Sequence, residues 1–270
     1  MSIKMRKKFC GWYFKCQSEI QTLAIIPASH GKHSSIQLIT DEDAWNFTGD
    51  TTNCIFGNGG LKLSINGNGL SAVGELKFSK LTPIKYDIMG PFKYVPFMEC
   101  RHSVLSMLHR VDGTVSVNGT DYVFHNGKGY IEGDRGYSFP SEYAWTQCFM
   151  DDGSLMLSVA DIPFAGRHFK GIICVILWSG KEYRLATYLG AKAVKISDGE
   201  VVIRQGKYTF SARLIERQNH ELKAPVDGDM LRTIHESAAC RATYHFEESG
   251  RVLFEFETDK ASFEFEYGGK

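Results

Sequence analysis

Proline is scarce in this chain, 7 of 270 residues, and no apolar run approaches the length of a membrane span. The longest such run, Ile172 to Trp178, suits a buried strand. Charge of one sign is also lacking, because 31 basic side chains balance 31 acidic ones. Nucleic-acid binders carry a basic excess that releases counterions from phosphate, so no nucleic-acid partner is expected. The seven cysteines form no C-x-x-C pair, and their number is odd. They read as buried, reduced thiols of a cytoplasmic protein. The basic cluster Lys4 to Lys8 runs into Phe9-Cys10-Gly11 and not into an apolar stretch, so it is not a signal peptide.

Self-sufficient catalytic motifs are missing too. There is no G-x-S-x-G and no Cys–His arrangement that would point to hydrolysis. Gly57-Asn58-Gly59-Gly60 is not followed by a helical pattern, so no row of free amides would hold a phosphate. His30 and His33 have no carboxylate or thiol at ligand spacing, while His102 and His109 would point to opposite faces of a straight strand. No metal and no cofactor is expected.

What is present is glycine, 27 residues, and aromatic side chains at 13%. Together they favour short strands and tight turns. Turn dipeptides recur along the chain: Asn66-Gly67, Asn68-Gly69, Asp112-Gly113, Asn118-Gly119, Asn126-Gly127, Asp152-Gly153, Asp198-Gly199 and Ser249-Gly250. Asn-Gly and Asp-Gly accept the positive φ angles of hairpins whose twist matches antiparallel strands. Between them run alternating segments such as Val252-Leu253-Phe254-Glu255-Phe256-Glu257 and Phe263-Glu264-Phe265-Glu266-Tyr267. A period of two predicts strands with one face on a core and one in water. Pro225 to Glu248 has some helical spacing, but comparison of the two halves favours strand there.

That comparison suggests an internal duplication. Glu99 to Gly113 and Glu236 to Gly250 both open on Glu and reach a glycine at the same separation. Trp12-Tyr13-Phe14-Lys15-Cys16 followed by Ala24-Ile25-Ile26-Pro27 matches Trp145-Thr146-Gln147-Cys148 followed by Ala160-Asp161-Ile162-Pro163. The expected fold is all-β, with domains at residues 1–138 and 139–270. Between them lies Gly129 to Cys148, rich in rings and charge, with a pocket for an apolar small molecule expected nearby.

Three blocks carry a family resemblance. Phe9-Cys10-Gly11-Trp12-Tyr13-Phe14-Lys15 resembles the Glu-Gly-Trp-Tyr-Phe-Lys opening of the tocopherol cyclase-like family. Met89-Gly90-Pro91-Phe92, Met98-Glu99-Cys100-Arg101-His102 and Ser106-Met107-Leu108-His109 resemble its middle block. Tyr130-Ile131-Glu132, Gly136, Phe139-Pro140, Trp145 and Gln147 resemble a third. Gly133-Asp134-Arg135 stands where plant members have Lys-Asn-Trp, and Tyr143 replaces a tryptophan. The resemblance implies two tandem lipocalin-like antiparallel β-barrel domains. It also implies a cyclase or isomerase acting on a hydrophobic, isoprenoid-type molecule.

Such an enzyme protonates an isolated alkene and lets a phenol oxygen capture the cation. It needs a carboxylic acid in an apolar site, aromatic walls and exclusion of water. Asp134 or Glu132 is the candidate acid. Trp12, Tyr130, Tyr137, Phe139 and Trp145 are candidate walls, with Gln147 as a donor to the phenol. Glu99, Arg101, His102 and Arg135 are candidate contacts to a polar head group. Glu99 and Arg101 share a strand face and would form a buried ion pair. Glu132, Asp134 and Arg135 would alternatively serve as an ion-pair cluster fixing a linker, with Arg135 lowering the pKa expected of Asp134 and so favouring its ionised form. The alternatives are a non-catalytic carrier of a hydrophobic ligand, and an interaction protein whose barrels are filled by their own side chains.

Overall fold

The computed structural model describes residues 7–268 apart from 32, 97, 165 and 217–219. Of the basic cluster, Lys4 to Arg6 lie outside the described residues. Nine strands make the first sheet: β1 (Phe9–Gln17), β2 (Thr22–His30), β3 (His33–Thr40), β4 (Ala44–Thr48), β5 (Ile55–Gly57), β6 (Gly60–Gly67), β7 (Leu70–Phe78), β8 (Cys100–Val117) and β9 (Thr120–Gly136). The second sheet begins with β10 (Tyr143–Met150), β11 (Gly153–Phe164), β12 (Arg167–Trp178), β13 (Lys181–Ala186) and β14 (Lys192–Ser197). It continues through β15 (Glu200–Gln205), β16 (Tyr208–Glu216), β17 (His220–Val226), β18 (Asp229–Glu248) and β19 (Arg251–Phe265). The stretch 225–248 is therefore strand, and the only helical elements described are short 3-10 turns at Gly90–Tyr94 and Thr187–Leu189.

Both sheets have the same order. The first runs β4-β3-β2-β1-β9-β8-β7-β6-β5, and the second β13-β12-β11-β10-β19-β18-β16-β15-β14, with β17 paired to β18. In each, the first strand hydrogen-bonds to the last, the pairing that curls a meander into a barrel. The chain divides into two compact units. One comprises residues 1–87, 95–139 and 221–233, the other 88–94, 140–220 and 234–270.

The turn dipeptides do two jobs. Asn68-Gly69, Asn118-Gly119, Asp198-Gly199 and Ser249-Gly250 have positive φ at both residues and close hairpins. Asp112-Gly113 and Asn126-Gly127 instead lie inside β8 and β9, where the pairing register shifts. A side chain on Gly113 would place its Cβ 2.2 Å from the Glu75 carbonyl oxygen, so this glycine marks close backbone approach and not a turn.

Register also corrects the expected correspondence between halves. Tyr13 pairs with Glu132 as Trp145 pairs with Glu264, and Cys16 pairs with Leu23 as Cys148 pairs with Leu155. In that alignment Trp12 matches Ala144, Pro27 matches Val159, and Glu236 matches Val104 and not Glu99. The matching letters are not equivalent positions: register keeps the halves a constant 132 residues apart (145 − 13, 264 − 132), whereas the tryptophan, proline and glutamate letters stand 133, 136 and 137 apart.

Two cores fill the sheets. Phe14, Ile25, Leu38, Leu63, Val115 and Phe124 are among the side chains of the first. The second is aromatic: Tyr183 packs edge-on to Phe246 at 5.1 Å, Phe246 stacks on Tyr208 at 5.7 Å, and Tyr244 tilts against Phe256 at 5.3 Å. The expectation of one wet face per strand fails for β10, whose eight residues are all buried. It fails for much of β1 and β3 as well. Polar side chains on the faces turned away from the two cores are therefore buried too.

His109 on β8 is one buried polar group with a measurable consequence. It is 3% exposed, its Nδ1 lies 3.0 Å from Ser106 Oγ, and its ring meets Phe78 edge-on at 4.7 Å. Burial depresses its pKa to about 4. The unfolded chain, with an ordinary histidine, binds the proton first as pH falls. Stability contributed by His109 is thus present above about pH 6.5 and lost as pH drops toward 4, by about 3 kcal/mol at most. Urea unfolding of wild type and His109→Gln between these limits should show a steeper acid-side loss in wild type. Parallel slopes would remove His109 from the account.

Candidate functional site

Strand alternation builds the cluster. Ile131 on β9 points into the first core, which turns Tyr130, Glu132 and Asp134 to the opposite face. On β8 the partners of Asp134 and Glu132 are His102 and Val104. The His102 ring therefore reaches both carboxylates. Its Nε2 lies 3.1 Å from Glu132 Oε2 and its Nδ1 3.0 Å from Asp134 Oδ1. Tyr130 Oη donates to Glu132 Oε2 at 2.5 Å, and Cys100 Sγ donates to Asp134 Oδ1 at 3.2 Å. The result is one chain of contacts, Cys100–Asp134–His102–Glu132–Tyr130.

Burial sets its electrostatics. The side chains of His102 and Glu132 are 10% and 6% exposed, whereas Asp134 keeps 22%. Burial by itself disfavours a charged imidazole. Asp134 and then Glu132 outweigh it and hold the His102 pKa well above its ordinary value. Only an imidazolium, with N–H on both nitrogens, can donate to carboxylates on both sides. Burial first, and Glu132 second, push the Tyr130 phenol far up, and burial with Asp134 does the same to the Cys100 thiol. Tyrosine and cysteine thus stay neutral donors. The imidazolium carries the exchangeable proton.

The surroundings come from β1. Tyr13 pairs with Glu132 and Lys15 with Tyr130, and both are buried on the face away from the core. Trp12 lies against Gly133, where an added Cβ would fall 2.5 Å from the indole. Glycine is needed there by contact and not by φ.

Of the residues expected from sequence, Glu132, Asp134, His102 and Tyr130 come together, whereas Trp12, on the neighbouring strand, packs against the first core on the other face. The others have different surroundings. The anticipated Glu99–Arg101 ion pair is not among the described contacts. Arg101 donates to the Val95 carbonyl at 3.0 Å, and the Glu99 carbonyl accepts from the Tyr137 amide at 2.7 Å. A bend at Glu99 leaves it outside β8, so the strand alternation expected to put Glu99 and Arg101 on one face does not extend to Glu99. Arg135 is exposed, so the cation beside Asp134 is His102, a cross-strand neighbour that spacing along the chain could not reveal. Tyr137 receives Lys8 over its ring at 5.8 Å, and Phe139 meets Phe9 edge-on at 5.6 Å. Trp145 and Gln147 lie on β10 of the second sheet, facing away from its core. Sequence reasoning missed Tyr13, Lys15 and Cys100. A lysine between Phe14 and Cys16 in an apolar strand was the available signal for Lys15.

One potential metal-holding group exists among the described residues. Ligand atoms of His102, Glu132 and Asp134 lie within 4.8 Å of one another. The imidazole, however, has a carboxylate within 3.1 Å of each ring nitrogen, an arrangement that suits an ion triad. No helix among the described residues is long and apolar enough to cross a membrane.

No protein-family profile and no curated protein sequence matches the chain. Solved structures do. The chain is similar to CghA, with a TM-score of 0.64 at 9% identity over 96% of this chain and 88% of that one. It is similar to kievitone hydratase from Nectria haematococca, with a TM-score of 0.57 at 12% identity over 96% and 88%. A putative AttH from Nitrosomonas europaea gives 0.53 at 10% over 99% and 94%. At such identities the likeness speaks for fold alone. The chain is an all-β protein of two lipocalin-like antiparallel barrels, the fold that its motif resemblance to the tocopherol cyclase-like family implied.

Proposed function

We propose that this protein is a cofactor-independent isomerase or cyclase of the tocopherol cyclase-like kind, moving a proton on a hydrophobic, isoprenoid-type small molecule. The observation that carries the reading is His102, a buried imidazolium held between two carboxylates. Asp134 is the member most open to solvent, so it is the group that meets substrate. When the His102 proton moves onto Asp134, the carboxyl group becomes the acid that protonates an alkene carbon. The substrate hydroxyl captures the resulting cation, and its proton returns to the cluster. No proton is consumed over the cycle. Glu132, fixed by Tyr130, keeps the imidazole charged and in place. The structural likeness to kievitone hydratase supports chemistry on a small molecule. The same strand order in both sheets supports a reading of residues 1–138 and 139–270 as tandem repeats.

The test is turnover of a panel of prenylated phenols and hydroquinones in deuterated water. The expected product carries one solvent deuterium at the protonated carbon. The rate should hold through neutral pH and fall as pH rises past the raised His102 pKa, because only the protonated ring supplies the acid. Uptake of these compounds without any exchange would favour the carrier reading. One observation supports that second reading: both His102 nitrogens already lie within ion-pair distance of a carboxylate. Neither turnover nor uptake would end both readings.

A further inference from the structure

Lys15 is the only fully buried lysine or arginine among the described residues. We infer that Lys15 is a positioning residue of the His102 cluster: its ammonium completes the charge balance of the triad and holds Glu132 as the anion, which leaves Asp134 to receive the His102 proton. The steering of that proton rests on the proton-transfer reading, whereas the charge on Lys15 does not.

Strand alternation fixes the face. Phe14 and Cys16 belong to the first core, so Lys15 between them points to the side that carries Tyr130 and Glu132. Tyr130 is its direct partner on β9, and Glu132 stands two residues further along that strand. Diagonal neighbours of this kind lie about 7–8 Å apart, within reach of a long side chain. Glu132 accepts from the Tyr130 hydroxyl at 2.5 Å, so Lys15 and this carboxylate border the same phenol side chain.

Charge calls for the pairing. His102 carries one positive charge against the two negative charges of Glu132 and Asp134, while Tyr130 and Cys100 stay neutral. One negative charge is left over on a face where Glu132 is buried. A buried lysine alone sheds its proton, and a buried carboxylate alone takes one up. Side by side, each supports the charge of the other. Among the described residues the rest of this face offers Lys15 no nearer anion. Lys128, its other diagonal neighbour on β9, and Arg110 beyond it on β8 are cations, and Tyr13 beside Glu132 is a phenol. Toward β2 and β3 stand Ala24 and Ile39, and Asp41 past them accepts from the Thr22 amide at 2.7 Å. Where Gln37 on β3 binds the Lys223 backbone of β17, the Lys223 ammonium donates to Thr233.

Lys15 touches no reacting atom and acts through Glu132. The His102 ring has a carboxylate at each nitrogen, Glu132 at 3.1 Å and Asp134 at 3.0 Å, so its proton has two places to go. The ammonium and the phenol both favour the ionised form of Glu132. The proton therefore moves to Asp134, the more exposed of the two.

The experiment is ¹⁵N NMR of the full chain, read at the Lys15 side-chain nitrogen and at the His102 ring. The Lys15 signal is assigned by its loss in Lys15→Arg. In wild type Lys15 should be protonated at pH 7, and a neutral amine there would overturn the proposal. Lys15→Met should move the alkaline titration of His102 up by about one pH unit, because a cation no longer opposes the imidazolium. Lys15→Arg keeps the charge and should titrate as wild type does. An unmoved His102 titration in Lys15→Met, or an arginine variant that behaves like the methionine one, would reduce Lys15 to a space-filling role. Should Lys15→Met fail to fold, Glu132→Gln carries the test. It should lower the Lys15 titration by about 1–3 pH units, and an unchanged Lys15 would overturn the pairing. No readout needs a substrate, so failure of the proton-transfer reading and failure of this one are separate results.

Discussion

Asp134→Asn should lower turnover by about 10²- to 10⁴-fold, the usual worth of a positioned acid–base group. Asn keeps the shape of Asp134 and leaves the backbone of β9 undisturbed, so fold and ligand uptake should survive. Two losses combine. The acid that meets substrate is gone, and His102 loses the carboxylate that does most to raise its pKa. The surviving activity should therefore decline at lower pH than in wild type. A variant that turns over an identified substrate at the wild-type rate would clear Asp134 of the role. A variant that binds as before, in a protein where wild type shows no turnover either, would identify a carrier.

Gly129→Ala should cost about 3 kcal/mol of stability, at the upper end of overpacking penalties. The added Cβ would sit 2.3 Å from His109 Nε2 and 2.7 Å from Val111 Cγ2. Neither neighbour can yield easily. His109 is held by Ser106 and Phe78, and Val111 is fully buried. Gly59→Ala is the control, since no atom lies within 4 Å of its would-be Cβ. Urea unfolding should show a large loss for the first and almost none for the second. Combining Gly129→Ala with His109→Ala should cost less than the separate changes added together, because the second substitution opens the space that the first fills. Strict additivity would mean that the backbone, and not the histidine, resists the methyl group.

The sequence made the fold class legible because hairpin chemistry and the two-residue period are local. Asn118-Gly119 and Ser249-Gly250 announce their turns by residue type alone. Bulges are less visible: Asp112-Gly113 carries the same letters and lies inside a strand, since only the partner strand decides its role. The candidate site divides in the same way. Tyr130, Glu132 and Asp134 could be placed on one face by alternation along β9. Their pairing with His102 depends on the register of β8 against β9, which contains shifts that no single sequence prints. For that reason Arg135, adjacent in sequence, was expected beside Asp134, where the fold puts a histidine. The burial of polar faces is not legible for a related reason: alternation tells which side a residue takes and not what covers that side.

The buried charge on His102 is the most exposed part of this account to direct measurement. Its two acidic neighbours stabilise the folded chain fully below the ordinary histidine pKa, and that contribution is lost as pH rises through the raised folded value. ¹⁵N NMR of the imidazole, with His102 assigned by His102→Gln, reads the state of both ring nitrogens. At neutral pH both should be protonated, with titration displaced well to the alkaline side. A neutral tautomer for His102 at pH 7 would contradict the triad and the proton-transfer chemistry built on it.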